Sequence, residues 1–139
     1  MMVTWRRAGC ILGLVGILLA GLLIGFAYQA VTSSLEAEKT LHAYLVSLDL
    51  LTVYVRKNPG KWPTSWDDLI GVSPSTQSPI YHWPEDSGEF SRRVQIDFGL
   101  TRAQIAAQNE DNFSAVIQVG PNYGPEEPRI KMLLEAARR

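Results

Sequence analysis

Residues 50–69 read LLTVYVRKNPGKWPTSWDDL, and how this stretch is read decides how the rest of the chain can be arranged. Its start continues a helical pattern, and from Asn58 onward it holds two tryptophans, two prolines and an acidic pair. Pro59 disfavours helix in Asn58, Gly60 can take a positive φ, and Arg56 and Lys57 suit the negative end of a helix dipole. A helix therefore ends here. Thr64 or Ser65 can cap a new short helix, SWDDLI, whose first-turn Asp67 and Asp68 complement its positive end. Gly71 closes that helix, and residues 72–79, VSPSTQSP, read as loop.

Upstream of this corner, no proline occurs between Met1 and Pro59. Leu41, Tyr44, Leu45, Leu48, Leu51 and Val55 recur at helical spacing, and His42, Asp49 and Arg56 form a narrow polar line seven residues apart. Most of the remaining circumference is apolar, so the rest of the domain should wrap this helix. One helix from about Gly9 to Lys57 is allowed, roughly 70 Å long.

Its first half has a different solvent. Gly9–Val31, GCILGLVGILLAGLLIGFAYQAV, carries no charge, and none occurs between Arg7 and Glu36. It exceeds the roughly 20 residues that cross a bilayer core as a helix. Arg6 and Arg7 precede the span, while Glu36, Glu38 and Lys39 follow it. The positive-inside rule therefore predicts a cytoplasmic stub at 1–8, a transmembrane helix at 9–31 and an extracytoplasmic head at 32–139. A cleaved signal peptide, with small residues at Gly25-Phe26-Ala27, is the rival reading. An uncleaved anchor is preferred, because the apolar run is long for a signal and helical sequence continues past it. Gly9, Gly13, Gly16 and Ala20 share one face of the span, and Gly21 and Gly25 repeat the small-residue spacing on another. Such stripes let transmembrane backbones approach closely, so they are the candidate helix-packing residues.

Downstream of the corner the expected elements are short. Ile80–Trp83 is a candidate strand before Pro84, and Glu85-Asp86-Ser87-Gly88 reads as a turn. RRVQIDFG alternates, with Val94, Ile96 and Phe98 on one face. Thr101 with Gln104 forms a capping-box pair that opens a helix through about Gln108. FSAVIQVG is a second strand, inward either through Phe113, Ala115, Ile117 and Val119 or through the alternate set. GPNYGPEEP is a turn cluster, and Pro128–Arg139 an amphipathic helix with Ile130, Leu133, Leu134 and Ala137 on its apolar face.

The chain has 139 residues and a net charge of −1. Beyond Arg7 it holds eleven basic and fourteen acidic side chains. This balance gives no electrostatic case for nucleic acid. The single cysteine, Cys10, allows no intrachain disulfide and reads as a small apolar group within the span. His42 and His82 have no metal-binding spacing, and neither a nucleophile elbow nor a phosphate-binding loop is present. The pairs Asp67-Asp68 and Glu126-Glu127 fall where helix N-termini are expected, which explains them through the dipole. Asn112-Phe113-Ser114 fits a glycosylation acceptor, a tripeptide frequent by chance. Trp62, Trp66 and Trp83 can pack over a small core or form a ligand platform for glycan or peptide. No enzyme activity, cofactor, metal or small-molecule ligand is expected.

The order of parts resembles the type IV pilin-like proteins, and among them the pseudopilins of type II secretion. In that family the long helix ends in a tyrosine-containing turn, then a glycine, an aromatic-proline pair and a short helix ending in leucine. Here these are Tyr54, Gly60, Trp62-Pro63 and Asp68-Leu69. The resemblance covers residues 9–70 and implies an α+β fold, with a small antiparallel sheet packed on the long transmembrane-plus-amphipathic helix. The family's processing site, a glycine followed by phenylalanine or methionine with glutamate at the fifth mature position, is not matched. Gly9 precedes Cys10, and the fifth position is Leu14; at Gly25-Phe26 it is Ala30. What the resemblance implies is a pilin-like shape on a permanent anchor. The expected partners are the membrane and other transmembrane helices or pilin-like subunits.

Overall fold

The computed structural model describes residues 3–121 and 128–139, with side chains from residue 15 onward. It is a mixed-helix chain with one small antiparallel sheet and a long N-terminal helix. Helix α1 runs Val3–Lys57, longer at its start than the expected Gly9 and ending where the sequence placed it. Two units divide the chain at Leu35 and Glu36, and α1 contributes to both.

Within the second unit, Glu36–Arg139, α1 is the central element. Residues 46–52 are all buried, and seven residues make nearly two full turns, so neighbours cover this part of the helix on every side. Its buried hydroxyls are satisfied without leaving the helix. Thr40, Ser47 and Thr52 donate to the carbonyls of Glu36, Ala43 and Leu48 at 3.0, 2.7 and 2.8 Å. This back-bonding lets small polar residues sit among Leu48, Leu50, Leu51 and Val55 without an orphaned donor.

The corner forms as the sequence requires. The Asn58 N–H donates to Tyr54 O, its side-chain amide donates to the same carbonyl, and Lys61 N–H closes onto Asn58 O. Gly60 takes φ +80°, a conformation that side chains with a Cβ rarely adopt. Helix α2, Asp67–Ile70, follows, and its start differs from expectation. Neither Thr64 nor Ser65 caps it; Trp66 stands at the cap position without a side-chain bond. Instead Asp68 reaches back and accepts from the Thr64 N–H at 2.6 Å and the Thr64 hydroxyl at 2.8 Å.

The strand expected at Ile80–Trp83 is absent. Its N–H groups are taken by side chains instead: Ser78 Oγ accepts from Ile80 and Tyr81, and Asp86 Oδ2 accepts from His82. With the donors of Ile80, Tyr81 and His82 capped this way, the segment has little to offer a ladder. The turn expected at 85–88 is present at 83–86 and runs into helix α3, Ser87–Arg93, which absorbs Arg92 and Arg93 and leaves a shorter strand β1, Val94–Ile96.

Helix α4, Arg102–Ala106, opens with the expected capping box. The Thr101 side chain accepts from Gln104 N–H, and the Gln104 side chain accepts from Thr101 N–H. It ends two residues short of Gln108. Strand β2, Val116–Gln118, pairs antiparallel with β1, placing Ile96 opposite Val116 and Val94 opposite Gln118. Val116 is buried and Ile117 exposed, so in β2 itself the second of the two candidate faces points inward. Helix α5, Pro128–Arg138, buries Ile130, Leu133, Leu134, Ala136 and Ala137.

Helices α4 and α5 cap one another. Arg102 donates to the carbonyls of Ala136 and Ala137 near the end of α5, and Arg138 donates to those of Ala106 and Gln108 at the end of α4. Each guanidinium thus satisfies carbonyls that a helix end leaves open. Residues 122–127, with most of the turn cluster and Glu126-Glu127, lie outside the described residues.

Candidate functional site

Two surfaces carry the sequence's candidate residues. The first is the N-terminal part of α1. Val15, Ile17, Leu18, Leu19, Leu22, Leu23, Ile24, Phe26, Tyr28, Val31 and Leu35 are 46–75% exposed, on all sides of the helix. A helix that is apolar all round belongs inside a protein core or a bilayer. This one is long and apolar enough to cross a membrane, and its most apolar window is covered by no part of the protein. Among the described residues there is therefore one candidate membrane helix, near the N-terminus.

A side chain added at Gly16, Gly21 or Gly25 would meet nothing within 4 Å. Gly21 and Gly25 lie on one i,i+4 row with Ile17 and Gln29, and with Leu18, Leu22 and Phe26 of the neighbouring row they line a shallow, open groove. The surroundings of Gly9 and Gly13, and of Cys10, lie outside the described side chains. Thr32 donates its hydroxyl to Tyr28 O at 2.8 Å, which hides a polar group on this otherwise apolar surface.

The second surface is the head around the corner. Trp62 is 7% exposed, and its indole N–H donates to Asp97 O at 3.0 Å, fastening the corner to the end of β1. Trp83 donates to Val72 O at 2.9 Å. Trp66 and Trp83 are half-buried, with centroids 6.3 Å apart, and both pack on the fully buried Phe90, at 6.5 and 5.2 Å. Phe98 meets Trp66 edge-on at 6.0 Å, and Tyr81 lies 5.1 Å from Phe90. These spacings are those of aromatic packing. Trp62 offers no open ring face, whereas Trp66 and Trp83 each keep part of theirs.

Two polar clusters organise the head, and the sequence reading did not single out either as a joint. In the first, Arg93 from α3 reaches Glu36 on α1 at 2.8 Å, Thr40 Oγ1 at 3.4 Å and Glu89 at 3.3 Å. The Arg93 side chain is only 17% exposed, so this pair is partly desolvated. Lys39 binds the other oxygen of Glu36 at 2.9 Å. The hydrogen bond from Lys39, followed by that from Arg93, holds the Glu36 carboxyl below its ordinary value. The Tyr81 hydroxyl is buried with no hydrogen-bond partner among the described residues, and burial pushes its pKa up.

In the second cluster, Asp49 of the polar line is buried and grips the 72–79 loop. Its carboxylate accepts from Ser75 N–H and Ser75 Oγ, both at 2.5 Å, and from Thr76 N–H at 3.0 Å. His42 is half-buried and Arg56 exposed, so the line divides into three unlike environments. The only sequence signal for this clamp was one acidic residue on a mostly apolar helix. Among the described residues no three His, Cys, Asp or Glu side chains gather as a metal site would require.

Compared with protein-family models, curated proteins and solved structures, the chain matches none.

Proposed function

We propose that this chain is a non-enzymatic, single-pass membrane subunit of a secretion, pilus-like or envelope assembly. In this reading the N-terminus is cytoplasmic and residues 36–139 form a pilin-like α+β head outside the cytoplasm. The observation that carries the reading is the contrast within one helix. From Val15 to Leu35 the side chains of α1 have no protein around them, and from residue 46 to 52 they have protein on every side. An apolar circumference needs a non-aqueous medium, and lipid supplies it for the first part.

The assembly role draws on the resemblance of residues 9–70 to pilin-like proteins and on the open backbone at Gly16, Gly21 and Gly25. Without a hydrophobic driving force in lipid, helices associate where small residues admit close contact. The work of the molecule is then positional: the span joins a partner helix, and the head presents a docking surface. Replacing Gly13 and Gly16 with leucine, and separately Gly21 and Gly25, should reduce crosslinking of the span to neighbouring helices in the native membrane. Unchanged crosslinking in both variants would remove helix packing from the proposal.

A further inference from the structure

We infer that Asn112 is an acceptor for an N-linked glycan. The site rests on the extracytoplasmic placement of the head proposed above. It lies in the 107–115 connection between α4 and β2, where Asn112 and Ser114 are exposed and Phe113 between them is half-buried against the core.

The loop has the local geometry that an acceptor needs. Asn109 Oδ1 accepts from both Asp111 N–H and Asn112 N–H at 3.0 Å, folding 109–112 into a tight turn. Asn112 returns the contact through its own Oδ1, which accepts from Asn109 N–H at 2.7 Å. The carboxamide is thus held by its oxygen, and Nδ2, the atom that would be modified, has no partner among the described residues. Among the described residues Ser114 is tied to Gln108, its N–H donating to Gln108 Oε1 at 3.0 Å and its hydroxyl accepting from Gln108 Nε2 at 3.4 Å. These two contacts come from a loop side chain, and the tie to the sheet begins one residue later, where Ala115 O accepts from Asp97 N–H at 2.9 Å.

The co-reactant is an oligosaccharide carried on a polyprenyl diphosphate, and the enzyme is a membrane-embedded oligosaccharyltransferase. Nδ2 forms a bond to the anomeric carbon as the bond from that carbon to the diphosphate oxygen breaks. The electron pair leaves with the polyprenyl diphosphate, and one Nδ2 proton passes to a base of the transferase. No redox change is involved. The product is a glycosylated secondary amide on a surface turn, where the acceptor tripeptide is read.

The full chain should be inserted into membranes that contain an oligosaccharyltransferase, with glycan mass read on the intact protein. A second version of the chain carries an added acceptor tripeptide in a flexible extension after Arg139, as a report of head orientation. The expected result is one glycan on the unextended chain, lost in Asn112→Gln and Ser114→Ala and kept in Ser114→Thr. Modification of the added acceptor with none at Asn112 would overturn the site and leave the orientation standing. Modification of neither would overturn both.

Discussion

Asp49 shows how much of the head depends on single polar groups. The sequence placed it on a narrow polar line with His42 and Arg56, on a helix that the rest of the domain was expected to wrap. The structure buries it, because the Ser75 and Thr76 N–H groups and the Ser75 hydroxyl come to it from 26 and 27 residues away. Helical periodicity reports which face a residue occupies and says nothing of what a distant loop will bring there. Asp49→Ala would leave two backbone donors and a hydroxyl without their acceptor. The expected loss is about 3 kcal/mol of head stability, the scale for unpaired buried groups and charged hydrogen bonds. It can be read from thermal melts of the chain in detergent. A variant as stable as the parent would mean that the 72–79 loop is not held by this carboxylate. Trp62, by contrast, was legible in its structural duty, since a corner built from Asn58-Pro59-Gly60 needs an anchor just beyond it. Its bond to Asp97 O is that anchor.

At the scale of elements, legibility followed the locality of the cause. The end of α1, the capping box of α4 and the apolar face of α5 depend on residues within a few positions of one another, and all three form. The start of α3 did not show itself, because Pro84 and Gly88 punctuate the sequence as a turn would. The absent strand at 80–83 failed for a related reason: Ser78 and Asp86 take its donors, and side-chain capping has no periodicity to reveal it. The joint between α3 and α1 runs through Arg93 and Glu36, 57 residues apart, and it gives the head an acid dependence of fixed sign. The folded state holds Glu36 below its ordinary pKa, so the pair's stabilisation is fully present above the ordinary carboxylate value. It is lost as pH falls through the lowered one. Asp68, lowered by the Thr64 N–H and then the Thr64 hydroxyl, acts in the same direction. Melting temperature should therefore fall as pH drops below about 4, and Glu36→Gln should flatten part of that fall while Asp68 sustains the rest. Identical pH profiles for parent and variant would show that Glu36 is not a stabilising partner of Arg93.

The whole molecule turns on one helix whose parts differ in surroundings, exposed from Val15 to Leu35 and buried from residue 46 to 52. Its long, charge-free apolar helix was legible at once, because length and composition can be read without a partner. The described side chains from Val15 to Leu35 are exposed as a lipid-facing helix would have them. The helix proposed to pack on Gly16, Gly21 or Gly25 could not be identified from one chain, since the partner's sequence sets half of such a contact. The central claim is that this span is a permanent anchor with the head outside. Cysteine accessibility in the native membrane tests it most directly. On a Cys10→Ser background, single cysteines replace Thr4 and the exposed Ser91, and a membrane-impermeant maleimide is applied before and after permeabilisation. The account predicts that the protein stays in the membrane at alkaline pH, that the cysteine at 91 labels on intact cells, and that the one at 4 labels only after permeabilisation. Release at alkaline pH, or labelling in the reverse order, would contradict it.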